Sequence, residues 1–127
     1  MNSILVPVAV GELLDKITIL EIKSDRIADA GKRRNVRTEL DGLWPLWEDL
    51  RARHPDMDAL KRRLREVNER MWDVQDALRA KEAAQDFDAG FIALARAVAT
   101  TNGERVGLKN DINRVAGSRF VEEKQYR

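Results

Sequence analysis

The chain has 127 residues, of which 43% are hydrophobic and 35% are charged, and these proportions exclude a disordered tail and a membrane-embedded chain. The 23 basic and 22 acidic side chains leave a formal charge of +1, which argues against a protein that holds nucleic-acid backbone. The chain has no cysteine and one histidine, His54, which excludes disulfides, thiolate zinc sites and multi-histidine metal sites.

The N-terminal segment is apolar and rich in β-branched residues. Residues 4–10 contain Pro7, which confines them to an edge strand or an extended arm. No lysine or arginine precedes the segment, and it is too short for the hydrophobic region of a signal peptide or for a membrane span. We therefore expect an extended N-terminal arm, no membrane partner and a location in the bacterial-type cytoplasm.

Apolar residues then recur at helical spacing and predict about five helices. The first runs from about Glu12 to Ala28 and ends at Gly31, which is expected to cap it. The second begins near Lys32 and continues through Pro45 with a kink, because its apolar stripe keeps phase across the proline.

The third helix has the most regular apolar stripe and ends before Asp86. The fourth starts near Asp88. Thr101 and Glu104 match a capping box, which predicts that a fifth helix starts there and ends at Gly117.

These elements predict an all-α fold. The second and third helices, joined by a short turn at residues 54–56, are expected to pack as an antiparallel hairpin. The expected architecture is a helical bundle of about five helices built on this hairpin, as one domain over residues 1–127. Trp44 and Leu46 lie outside the hairpin stripe and would leave an apolar patch on a monomer, so we expect a two-fold homodimer.

One carboxylate breaks the apolar pattern of the first helix. On a helical projection Glu21 falls between Ile17 and Leu14, inside the apolar arc. A carboxylate there must be paired, hydrogen-bonded, metal-bound or protonated, because an unpaired buried charge is very costly. A structural salt bridge to a neighbouring helix and a ligand site both fit this position.

A second polar row lies on the third helix. Asn68, Trp72 and Gln75 flank its apolar stripe, where the two amides need partners and the indole offers a flat apolar wall. We predict that this row and the carboxylate of the first helix share one site for a small polar ligand. A network between helices that fixes their register is the alternative. The predicted binding residues are Glu21, Asp25, Lys16, Asn68, Trp72 and Gln75.

Pairs of acids do not by themselves indicate a metal site. Seven Asp/Glu pairs lie three or four residues apart, and a random distribution of the acids would give about 7.5. Solvated helix faces explain such pairs, and the basic clusters at residues 32–34 and 61–65 are interpreted as solvated helix ends. No metal ligand, cofactor or catalytic residue is assigned from these patterns.

The sequence resembles a bacterial family of unknown function. The resemblance lies in residues 6–23, VPVAVGELLDKITILEIK, and continues in residues 66–76, 101–109 and 121–126, of which the last read VEEKQY. It covers nearly the whole chain and implies no activity, cofactor or ligand. Gln75 stands where relatives often carry a glutamate, which weakens a metal site at that position.

Two functions fit these residues. The first is a small cytoplasmic module for binding or assembly, homo-oligomeric and without catalysis. The second is a magnesium-dependent hydrolase that acts on phosphorylated or nucleotide substrates through carboxylates on facing helices. Residues 12–15 and 73–76 match the acidic motifs of such all-α enzymes only loosely, so the binding or assembly module is preferred and enzymatic activity stays an open question.

Overall fold

Four α-helices make up the computed structural model, which describes residues 2–118 and 120–123. The helices are α1 (Val10–Arg26), α2 (Ala30–Arg53), α3 (Met57–Ala83) and α4 (Ala89–Ala116). No strand occurs in the described ranges, which confirms the all-α fold class. Residues 2–9 have no regular secondary structure, so the edge strand considered for this segment does not form. Residues 124–126 of the closing motif lie outside the described residues.

The predicted fourth and fifth helices are one continuous helix. Thr101 and Glu104 lie inside α4, so the helix start predicted there is wrong. The Thr101 side chain is buried, and the Glu104 carboxylate accepts a hydrogen bond from Arg70 of α3 at 2.5 Å. Both residues of the apparent capping box therefore serve tertiary contacts, because packing on α1 and α3 outweighs a local cap signal.

The boundary between α1 and α2 also differs from the prediction. Gly31 was expected to cap the first helix but lies in the first turn of α2. Asp29 is the N-cap of α2, and its carboxylate accepts a hydrogen bond from the Lys32 amide at 2.8 Å. α2 continues through Pro45 as predicted, and Gly117 ends α4 with a left-handed φ of 69°.

α1 lies at the centre of the bundle and packs against the other three helices. Its Leu14 and Ile17 side chains are fully buried. The core is completed by Leu20 of α1, Leu40, Trp47 and Leu50 of α2, Met57, Leu64 and Val67 of α3, and Leu108 and Ile112 of α4.

The helix pair with the most extensive packing is α3 with α4 rather than α2 with α3. α3 packs most extensively on α4, whereas α2 packs on α1 and meets α3 only weakly. The predicted hairpin of the second and third helices is therefore not the main packing contact, because α1 covers the apolar stripe of α2. α2 and α3 consequently diverge from the turn that joins them.

Exposed apolar side chains are not confined to the patch predicted at Trp44 and Leu46. Trp44 is partly buried against the core, which leaves Leu46, 51% exposed, as the open residue of the predicted patch. Residues 69–100 contain no buried side chain, so the connected ends of α3 and α4 extend beyond the core. Phe87 and Ile92 are about half exposed on this extension. No helix in the described part of the chain is long and apolar enough to cross a membrane.

Gly11 allows α1 to approach α4 closely. A Cβ atom at this position would overlap the Lys109 carbonyl oxygen and lie 3.0 Å from Asn113 Oδ1. The Gly11 amide donates a hydrogen bond to the same Asn113 oxygen at 2.7 Å. The absence of a side chain is therefore what brings the start of α1 onto α4.

We expect Gly11→Ala to lower the free energy of unfolding by about 1–3 kcal/mol or more, because α1 must move away from the α4 backbone. The control is Gly107→Ala, at an exposed helical position where an added Cβ meets nothing within 4 Å. It should raise stability by up to about 1 kcal/mol through helix propensity. Urea denaturation measures both effects, and equal stability changes in the two variants would contradict a close approach at Gly11.

Candidate functional site

A buried carboxylate joins three of the helices. Asp15 of α1 is only 3% exposed. Arg105 of α4 donates to both of its oxygens, from Nε at 2.9 Å and from Nη2 at 2.5 Å. Asn68 of α3 donates to Asp15 Oδ1 at 3.0 Å and to the Thr18 hydroxyl at the same distance. The carboxylate is therefore held by fixed donors from two neighbouring helices.

A buried lysine extends this network to the C-terminal segment. Lys109 Nζ lies 2.9 Å from both Glu12 Oε2 and Glu122 Oε1, and 4.0 Å from Asp15 Oδ2. Asn110 binds the backbone of Glu122 with two hydrogen bonds, of 3.0 and 3.1 Å. The segment around Glu122 is thus fastened to α4 beside the start of α1.

The ionisation of these groups follows from their surroundings. Burial of the Asp15 carboxyl raises its pKa, but hydrogen bonds from Arg105 and Asn68 and the charges of Arg105 and Lys109 bring it below the ordinary value. Burial lowers the pKa of Lys109, while hydrogen bonds to Glu12 and Glu122 and nearby negative charge raise it overall. Asp15 and Lys109 are both charged at neutral pH.

A small pocket lies beside the network, between α1, α3 and α4. Its volume is about 230 Å³. We call it the Trp72 pocket; its lining residues are Ile19, Ile22, Lys23, Asn68, Met71, Trp72, Gln75 and Arg105. A ligand there would meet an indole, two amides and two cationic side chains.

The structure separates the six predicted binding residues. Asn68, Trp72 and Gln75 line the Trp72 pocket together, as the row on α3 suggested. Glu21 and Asp25 instead line a cleft between α1, α2 and α3. The prediction that all of them bind a ligand stays a prediction, but the described geometry does not join them in one pocket.

The remaining predicted residues form ion pairs. Both Glu21 oxygens accept hydrogen bonds from Lys61 Nζ at 3.0 Å, and each of these two side chains is 13% exposed. Of the two interpretations of Glu21 in the sequence, a structural salt bridge to a neighbouring helix and a ligand site, the salt bridge is therefore present. Lys16 lies on the surface and pairs with Glu39 of α2 at 2.7 Å.

Sequence reasoning missed the groups that organise the site. Asp15, with Glu12, forms one of the acid pairs interpreted above as solvated helix faces, although Ile22 and Ile19 flank it on a helical projection. Thr101, Arg105 and Lys109 recur every four residues and so lie on one face of α4. This polar stripe is the sequence signal that could have identified them. Lys23 gave no signal, because it lies in the last turn of α1, where basic residues are common.

The carboxylates do not form a metal site in the described part of the chain. No group of three or more histidine, aspartate or glutamate side chains there could hold a metal ion. Glu12 and Asp15 are paired with Lys109 and Arg105. In the second acidic motif, residues 73–76, Asp73 forms a salt bridge with Arg26 and Asp76 forms one with Arg79, each at 2.5 Å. The hydrolase alternative has no support from these residues.

We expect Asp15→Asn to lower the free energy of unfolding by about 3–5 kcal/mol at pH 7, because Arg105 and Lys109 lose the buried charge that faces them. The control is Asp41→Asn, at an exposed position on α2, which should change stability by less than about 0.5 kcal/mol.

The pH dependence provides a second check. The folded-state pKa of Asp15 is lowered, so its contribution is fully present above the unfolded pKa, about 3.9, and is lost as pH falls through the folded value. The stability difference between wild type and Asp15→Asn should therefore shrink in denaturation experiments below about pH 4. A difference that stays constant down to acid pH would contradict an ionised Asp15.

Comparison with known proteins yields a family without a described activity. The sequence matches no curated protein and no solved structure at a significant level. One family model, a family of unknown function (DUF6165), matches residues 4–127. Because this match spans nearly the whole chain, the protein belongs to that family.

Proposed function

We propose that the protein is a non-catalytic binding module that holds a small organic carboxylate in the Trp72 pocket. The observation that carries this proposal is the ammonium group of Lys23. The residue is half-buried and lines the pocket, and it has no hydrogen bond or ion pair with any described residue. An ammonium group that has no partner among the described residues is available to pair with an anion that enters the pocket.

Charge in the pocket supports an anionic ligand. The other cation, Arg105, is already neutralised by Asp15, so Lys23 leaves the lining with a net positive charge. The Asp15 contact also holds the guanidinium in a fixed position while its side chain stays 27% exposed. A ligand carboxylate could therefore bind the ammonium group and accept a further bond from the edge of the guanidinium.

The rest of the lining suits an apolar or flat ligand body. Ile19, Ile22 and Met71 supply apolar wall, and Trp72 supplies an aromatic ring whose centroid lies 5.8 Å from the Arg26 guanidinium carbon. The Gln75 amide makes no hydrogen bond with a described residue and could fix the ligand's orientation. A volume of about 230 Å³ is below the range for drug-sized ligands, so the ligand should be smaller than these.

The lining favours binding over catalysis. Among the described lining residues, no carboxylate, histidine or hydroxyl side chain can act as a general base, so the Lys23 amine has no neighbour in the lining that would activate it as a nucleophile. Its polar groups are amides and cations, which recognise and orient an anion.

Benzoate and benzamide test this proposal, because the two molecules share a ring and differ in charge. We expect isothermal titration calorimetry to show saturable binding of benzoate with a millimolar Kd and at least tenfold weaker binding of benzamide, which lacks the charge. Lys23→Gln should abolish this preference. Lys16→Gln is the matched control, because that lysine lies on the same helix, is exposed and pairs with Glu39.

Equal affinities for benzoate and benzamide, or equal losses in the two lysine variants, would overturn the proposal. Absence of benzoate binding at tens of millimolar would do the same. Thermal melts of both variants should match those of wild type within about 0.5 kcal/mol, since exposed or unpaired surface charges contribute little to stability.

A second function, self-association into a two-fold homodimer, is favoured by the extension of α3 and α4. A groove of about 730 Å³ runs between these helices. Val74, Ile92, Ala93 and Ala97 are among its lining residues, and the neighbouring Phe87 is half exposed. We infer that a second copy of the chain covers this groove, because closed two-fold contacts are the most common way to bury such a face.

Sedimentation equilibrium at high micromolar concentration tests self-association. We expect a dimer for wild type, a monomer for Ile92→Glu and a dimer for Leu46→Glu, since Leu46 is equally exposed but lies outside the groove. A monomeric wild type would overturn the proposal. Dissociation caused by Leu46→Glu but not by Ile92→Glu would place the contact at the patch predicted from the sequence instead.

A further inference from the structure

The divergence of α2 and α3 opens a second cavity, on the other side of α1 from the Trp72 pocket. We call it the Trp44 cleft. Its lining residues include Glu21, Trp44, Arg51, Lys61, Arg62 and Arg65. Its main chamber has a volume of about 540 Å³, and an adjoining chamber of about 370 Å³ shares Glu21, Trp44 and Arg65. The cleft is large enough for a ligand of ordinary metabolite size.

The floor of the cleft is rigid and internally neutral. Lys61 is salt-bridged to Glu21, and its ammonium nitrogen lies 5.4 Å from the Trp44 ring centroid and 5.0 Å from that of Trp47. Cation–π contact and the salt bridge together fix this lysine in place. Arg65 beside it pairs with Asp25 at 2.5 Å and lies 3.6 Å from Glu21.

The walls of the cleft carry unneutralised positive charge. Arg51 on α2 and Arg62 on α3 form no hydrogen bond or salt bridge with a described residue, and the two come from opposite walls. Four basic side chains line the main chamber against two acidic ones, Glu21 and Asp58. Since Glu21 pairs with Lys61 and Asp25 pairs with Arg65, Arg51 and Arg62 face one further acid, Asp58, and leave an excess of one positive charge.

We propose that the Trp44 cleft binds a phosphate-bearing small molecule, with Arg51 and Arg62 holding the phosphate group from opposite walls. A guanidinium presents paired N–H donors that match phosphate oxygens, and two of them balance the double charge that distinguishes phosphate from a single carboxylate. The Trp44 ring on the α2 wall offers an apolar surface to the rest of the ligand.

This site is independent of the Trp72 pocket. The two cavities share no lining residue, and α1 separates them. The carboxylate proposal depends on Lys23, whereas the phosphate proposal depends on Arg51 and Arg62. Either can therefore fail while the other holds.

Inorganic pyrophosphate is the probe for this site, in calorimetric titrations at low ionic strength. We expect binding to one site per chain, with Kd raised about tenfold by Arg51→Gln or Arg62→Gln, and no measurable binding by the double variant. Arg63→Gln is the matched control: it removes the same charge from the next residue of α3, which is exposed and outside the cleft. It should leave Kd within about twofold of wild type.

Two further measurements make the test decisive. Lys23→Gln should bind pyrophosphate as wild type does, and the double arginine variant should retain its preference for benzoate. An equal loss from Arg63→Gln and Arg62→Gln would reveal diffuse electrostatic attraction and overturn the proposal. No pyrophosphate binding by wild type at 10 mM, on the order of the weakest useful affinity, would also overturn it.

Discussion

The burial of one charge, the Asp15 carboxylate, constrains how the helices of this bundle pack. At 3% exposure it stays ionised only because donors reach it from two of the three helices packed on α1, Asn68 from α3 and Arg105 from α4. These contacts fix the rotation of α1 about its own axis, since a turn in either direction would leave the charge unpaired. Lys109, 4.0 Å from the same carboxylate, also forms a salt bridge with Glu122 of the C-terminal segment.

α1 separates two environments that share a charge arrangement. On one side Asp15 neutralises Arg105 and leaves Lys23 as the unpaired cation of the Trp72 pocket. On the other side Glu21 neutralises Lys61 and leaves the wall arginines of the Trp44 cleft unpaired. In both cases a largely buried salt bridge neutralises one cation, and at least one cation nearby has no partner among the described residues. Net charge near zero for the whole chain conceals both local excesses.

Much of the fold could be predicted from local pattern, and parts of the site as well. Asn68, Trp72 and Gln75 line one pocket, as their spacing on one helix face indicates, and their binding of a ligand stays a prediction. Glu21 was correctly identified as a carboxylate within an apolar face, but a helical projection gives direction without naming the opposing helix, so its partner Lys61 was not found. The capping box at Thr101 failed because a local signal was weighed without the packing of α4 on its neighbours.

The sequence by itself determined the helical class, most helix boundaries and the polar residues that interrupt apolar faces, because each depends on interactions within a few residues. Only the tertiary structure decided that α3 pairs with α4, that α1 is central, and which acid meets which base. Those outcomes depend on contacts between residues about 30 to 90 positions apart, such as Arg70 with Glu104, 34 apart, and Arg105 with Asp15, 90 apart. At that separation, side-chain shape and charge across several helices select the arrangement together, and no local periodicity records the choice.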